Sequence, residues 1–160
     1  MSKVQTFQAT LLLAIKKNKI LLAEKKRGWR QGIFNGLGGK VEQDETIEQA
    51  MIREAQEEGG ITPITFDKVA IFDFDTFYKG ERAKWPVHVF KSTEFFGDPV
   101  ETEEMRPQWF DFDKIPYDKM WDDDILWMPR VLNGEKLRGN FSFDEDNKII
   151  DYSLTKVKEF

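Results

Sequence analysis

Glutamates 54, 57 and 58 stand at i, i+3 and i+4 within residues 46–58, a segment whose pattern predicts a helix. At about 100° per residue the three fall on one stripe, which Ile47, Ala50 and Met51 begin nearer the helix start. An ordinary amphipathic helix would carry apolar side chains along the whole stripe. Three like charges at this spacing repel one another. They also lie toward the helix C-terminus, where the dipole disfavours anions. A divalent cation held by the carboxylates removes both objections, and all-oxygen donors suit Mg²⁺ or Mn²⁺. The plainer alternative is a solvated acidic face. The chain has no cysteine and one histidine, so cysteine nucleophiles, zinc–thiolate sites and multi-histidine centres are excluded. We read that histidine, His88, as structural, because it sits in an alternating strand pattern.

Ahead of the helix runs Asn35-Gly36-Leu37-Gly38-Gly39, which must bend sharply or let another group approach the backbone closely. It is not a Walker A loop: Gly39-Lys40 is followed by Val41, and Phe34 holds the position of the first glycine. Trp29, Phe74, Trp121 and Trp127 offer flat faces for a base, with core packing as the alternative. Asp122, Asp123 and Asp124 have two readings: base contacts in an aromatic slot, or acids in the first turn of a helix.

The elements that position these groups follow from periodicity and turn chemistry. Residues 4–15 and 20–25 read as strands joined by the polar turn 16–19, an opening hairpin. Residues 26–36 read as a loop. The helix 46–58 has Asp44 or Thr46 as its cap and Gly59-Gly60 as its stop. Strands are expected at 66–78, 85–95 and 108–112, and a helix at 122–132 with a kink at Pro129. Residues 138–143 and 148–156 alternate like a closing hairpin. This order predicts an α+β fold, a mixed β-sheet sandwich.

The 160 residues are read as a single domain, 1–160, with room for a real core. A hydrophobic share of 40% with 33% charged residues excludes a disordered chain, and no apolar run approaches the length of a membrane helix. Residues 1–6 carry no leader pattern, so a soluble cytoplasmic protein is expected. The net charge of −5 argues against a nucleic-acid partner but not against a small nucleotide, whose phosphates a bound cation can neutralise.

From Gly39, five residues lead to Glu45, and seven more lead to Arg53-Glu54-Ala55-Gln56-Glu57-Glu58-Gly59-Gly60-Ile61. The pattern resembles the box of the Nudix hydrolases in every fixed or class-restricted position, with Ala55 smaller than the usual aliphatic residue. Flanking stretches resemble the branch of that family that hydrolyses oxidised purine nucleoside triphosphates. Among them are Lys25-Lys26-Arg27-Gly28, Val87-His88-Val89-Phe90, Glu104-Met105-Arg106-Pro107 and Asp123-Asp124. The likeness runs from about Thr10 to Val157, with an insertion around residues 78–84 and a departure at Asp122.

The resemblance implies a Nudix fold with flanking helices and a Mg²⁺-dependent pyrophosphohydrolase, with Mn²⁺ as the other candidate ion. It implies metal binding by Glu54, Glu57, Glu58, Glu104 and the Gly38 carbonyl, and catalytic roles for Arg53, Glu57, Glu58 and Glu104. Substrate contacts would fall to Thr10, Lys25, Asn35, Leu37, Gly38, Gly39, Lys40, Trp121, Asp123 and Asp124. The expected partner is a small nucleotide, and the expected state a monomer. The rival readings are an enzyme for unmodified dNTPs or nucleoside diphosphate sugars, and a binding domain without catalysis. Such binding domains lose box carboxylates, and all are present here.

Overall fold

The computed structural model describes residues 4–160; the leader reading of residues 1–3 lies outside them. The opening hairpin forms as expected. β2 (Ala9–Lys16) pairs antiparallel with β3 (Lys19–Lys25) through Ile15 and Ile20. Successive side chains of a strand point to opposite faces. Leu11, Leu13, Ile20 and Leu22 therefore enter one core, and Leu12, Ala14, Leu21 and Ala23 enter another. Burial on both faces is why these strands read as continuous apolar runs. The strand expected over residues 4–15 is split in two. A short β1 (Gln5–Thr6) precedes it and runs parallel to a later strand, joining the sheet at Ala83 and Lys84.

The glycine segment is extended rather than bent. β4 (Phe34–Asn35) pairs with β3, and β5 (Leu37–Lys40) pairs antiparallel with β2, from Leu12↔Leu37 to Ala9↔Lys40. Helix α1 (Ile47–Gly59) follows. Thr46 caps it in a reciprocal capping box with Gln49, and Gly60 stops it in the left-handed region at φ 69°. Asp44 instead occupies the preceding turn at φ 67°. The apolar side of α1, with Met51 and Ala55, packs on Leu12, Leu21 and Leu37.

β6 (Thr62–Tyr78) and β7 (Glu81–Phe96) form a hairpin longer at both ends than its periodicity predicts. β8 (Met105–Asp111) adds to β3, and two short 3₁₀ turns lead to α2 (Asp124–Leu132). This helix starts two residues later than expected, and Pro129 lies inside it without ending it. β9 (Lys136–Phe143) and β10 (Ile149–Val157) make the closing hairpin, with β9 parallel to β6. The sheet runs β10-β9-β6-β7-β2-β3-β4, with β1, β5 and β8 attached to β7, β2 and β3. The two helices pack against separate cores: α1 against Leu12 and Leu37, and α2, through Trp127, Met128 and Val131, against Leu13 and Phe72. The expected α+β architecture, a mixed sheet with flanking helices, is the one observed. Among the described residues no helix is long and apolar enough to cross a membrane.

Candidate active site

β5 and α1 meet at the carboxylate stripe. The Gly38 N–H donates to Glu58 Oε1 at 2.7 Å. A Cβ at Gly38 would collide with the Thr10 carbonyl oxygen, and one at Gly39 would lie 2.7 Å from Glu54 Oε1. Only glycine at both positions lets β5 lie against the β2 backbone on one side and the helix carboxylates on the other.

Arg53 organises the acids. Its Nε donates to Glu45 at 2.6 Å and its Nη1 to Glu54 at 2.8 Å and Glu57 at 3.2 Å, while its Nη2 reaches the Lys40 carbonyl at 3.1 Å. The Arg53 bond holds Glu45 below the usual carboxylate range. Burial raises Glu54 against the pull of Arg53. Burial also pushes Glu58 up to about 8, with the Gly38 N–H opposing. Glu57 is exposed. The three carboxylates supply only hard oxygen donors, a set that suits Mg²⁺ or Mn²⁺. Glu104 lies on an exposed loop, where it accepts from Arg27 Nη2 at 2.8 Å and is held below its ordinary value by that bond. With Arg53 on Glu54 and Glu57 and Arg27 on Glu104, no three acids or histidines among the described residues close on one metal-sized centre.

Beside this stripe opens a slot of about 220 Å³. Thr10, Asn35, Gly38 and Gly39 line it from β2, β4 and β5, and Trp121, Asp123, Asp124 and Trp127 from α2 and the turn before it. Trp29, Phe72, Phe74, Trp85 and Phe143 add to the aromatic wall. Leu37 instead lies in the core beneath α1. The Lys25 and Lys40 ammonium groups rest on aromatic faces, 5.8 Å from the Trp29 centroid and 4.2 Å from that of Phe7.

Asp123 does not cap α2: it makes no capping hydrogen bond, and its Oδ2 accepts from the Trp127 indole N–H at 2.8 Å. Asp124 Oδ2 and Thr10 Oγ1 are buried with no hydrogen-bond partner among the described residues. Buried polar atoms are rarely left so, and these two line a cavity, as atoms awaiting a ligand would. Burial pushes Asp123 up to about 6. Burial, then the charge of Asp123, raises Asp124 well above the carboxylate range.

Sequence reasoning missed Phe72, Thr76, Val87 and Val89 as slot residues. The signal was alternation. Phe72, Phe74 and Thr76 are spaced by two on β6 and pair with Val87, Trp85 and Ala83 on β7. Outside the slot lining, the Arg30 guanidinium lies 4.3 Å from the centroid of the Trp121 ring. Nothing in the local sequence announces that stack.

A family model described as the NUDIX domain matches residues 6–131. The chain is 44% identical over 150 residues to the oxidized purine nucleoside triphosphate hydrolase of Danio rerio, covering 94% of this chain and 95% of that protein. It is 42% identical over 151 residues to the protein of that name from Mus musculus, covering 94% and 96%. A crystal structure of a MutT protein from Bacillus halodurans superposes with a TM-score of 0.81 at 28% identity, covering 92% of this chain and 97% of that one. With most of its length matched by the family model and by curated relatives, this chain belongs to the Nudix family.

Proposed function

We propose that this protein hydrolyses oxidised purine nucleoside triphosphates to the monophosphate and pyrophosphate, as a single domain with Mg²⁺, or Mn²⁺, as cofactor. One observation carries the reading: Gly38 and Gly39 line the base-sized slot and also touch the carboxylates of α1. A base held in the slot therefore has its phosphates beside Glu54, Glu57 and Glu58. The names of the two vertebrate relatives support the substrate class.

When bound, the divalent ion neutralises phosphate charge and acidifies a water. Glu54, Glu57 and Glu58, joined by Glu104 from its loop, would hold it. Arg53 keeps Glu54 and Glu57 aligned through the two hydrogen bonds of its Nη1. Glu57, Glu58 or Glu104 takes the proton of the attacking water. In the slot, Asp123 and Asp124 share a proton, because like charge and desolvation each disfavour double ionisation. The protonated carboxyl donates to a purine carbonyl, and the ionised one accepts from a ring or exocyclic N–H. Moving that proton lets one slot serve oxidised guanine and oxidised adenine.

Product analysis tests the reaction. In ¹⁸O-labelled water with Mg²⁺, a purine triphosphate yields the nucleoside monophosphate and pyrophosphate, with label from water in one of them, and EDTA stops turnover. Orthophosphate and the nucleoside diphosphate as first products, or full activity in EDTA, would overturn it.

A further inference from the structure

The β6–β7 hairpin extends past the slot. Phe72, Phe74 and Thr76 line the slot at every second position of β6, and Tyr78 is next on that face. The turn beyond it, Lys79-Gly80, has both residues at positive φ, 53° and 81°, as a tight two-residue hairpin requires. Tyr78 is not itself a slot residue. Its ring instead meets Trp29 and Trp85 edge-on, each at 5.5 Å, and both of those line the slot. Trp29 also lies 5.5 Å from Trp121, which lines the slot from the turn before α2. The rings form an arc of contacts, Trp121–Trp29–Tyr78–Trp85, and three of the four line the slot. Trp29 sits on a loop and is 40% exposed, so ring contacts are its main hold. The Lys40 ammonium rests 4.8 Å from the Tyr78 centroid, which ties the arc to the end of β5, next to the glycine that opens the Nudix box.

We propose that Tyr78 is a positioning residue for purine specificity, fixing the loop residue Trp29 against the strand residue Trp85 to close the aromatic mouth of the base slot. The inference rests on the purine nucleotide reading above. A bicyclic base spans from Trp29 toward Trp85 and gains from both rings; a pyrimidine, one ring smaller, gains less. Freeing Trp29 therefore weakens purine binding first, without touching the carboxylates that carry the chemistry.

Steady-state kinetics on one purine and one pyrimidine triphosphate test it. Tyr78→Ala raises the purine KM about fivefold or more, leaves kcat within about twofold, and lowers the purine-to-pyrimidine ratio of kcat/KM. Tyr78→Phe keeps the ring and retains the wild-type values. In a Trp29→Ala background, Tyr78→Ala adds less than about twofold, because its effect runs through Trp29. Tryptophan fluorescence reads the same loss as weaker binding of a purine nucleoside monophosphate without metal. Tyr78→Leu carries the test if a thermal melt finds Tyr78→Ala unfolded. An unchanged purine KM, a loss confined to kcat, or independent effects in the double variant would overturn the role of Tyr78. Wild-type protein that neither binds nor hydrolyses purine nucleotides would instead overturn the proposed function, and the inference with it.

Discussion

Asp123 and Asp124 sit buried side by side with the Trp127 indole N–H donated to one of them. In sequence they were open to two readings, because a helix start and a base contact use the same residue type. The side-chain direction turns Asp123 from the helix cap to the Trp127 indole, and no local pattern encodes it. Asp123→Asn and Asp124→Asn each lower kcat/KM for purine substrates at least tenfold, about 1.4 kcal/mol. The loss differs between guanine and adenine substrates, and neither variant lowers Tm near neutral pH. Burial has a pH signature as well. A carboxyl raised on folding stabilises the fold while protonated. That contribution is present near the unfolded value of about 3.9 and is lost as pH rises through the folded value of about 6. Urea denaturation across this window shows a decline in wild type that Asp123→Asn flattens; a decline unchanged by the substitution would contradict the assignment. The glutamates were legible because their chemistry depends on spacing within one helix. Glu57 is exposed, so Glu57→Gln leaves the melting curve in place while kcat falls at least a hundredfold, about 2.7 kcal/mol. Turnover close to wild type would remove Glu57 from the site.

Strand β5 joins the slot to the helix; of the two sequence readings of its glycines, a sharp bend or a close approach to the backbone, the close approach holds, but the strand itself was not legible. Leu37-Gly38-Gly39-Lys40 has one apolar side chain and so no alternation to read. Its pairing partner, β2, lies more than twenty residues earlier in the chain. The opening hairpin, α1 and the closing hairpin were legible, since each carries its own periodicity and its own turn or cap residues. Gly38→Ala forces a methyl group against the Thr10 carbonyl, a backbone atom that cannot rotate away. The strain costs about 1–3 kcal/mol in urea denaturation. Because the same shift pulls the Gly38 N–H from Glu58, kcat falls with it. Wild-type stability in Gly38→Ala would show that β5 does not lie this close to β2.

At the scale of the whole molecule the base slot exists only in the assembled fold. Its walls run from Ala9 on β2 to Phe143 on β9, on both sides of the Nudix box in sequence. Composition and the spacing along α1 pointed to a divalent metal; the diphosphate came from likeness to the Nudix box, and the base end from likeness to known enzymes and from the aromatic residues as a group. In the proposed reading, base and phosphate sites meet along β5, so the base that enters the slot governs how fast the phosphate reacts. The most direct measurement is kcat/KM with Mg²⁺ for 8-oxo-dGTP, 2-hydroxy-dATP, dGTP and ADP-ribose under one set of conditions. Both oxidised purine triphosphates should exceed dGTP by about tenfold or more, with ADP-ribose lower still. Equal values for dGTP and 8-oxo-dGTP, or a preference for ADP-ribose, would contradict the account.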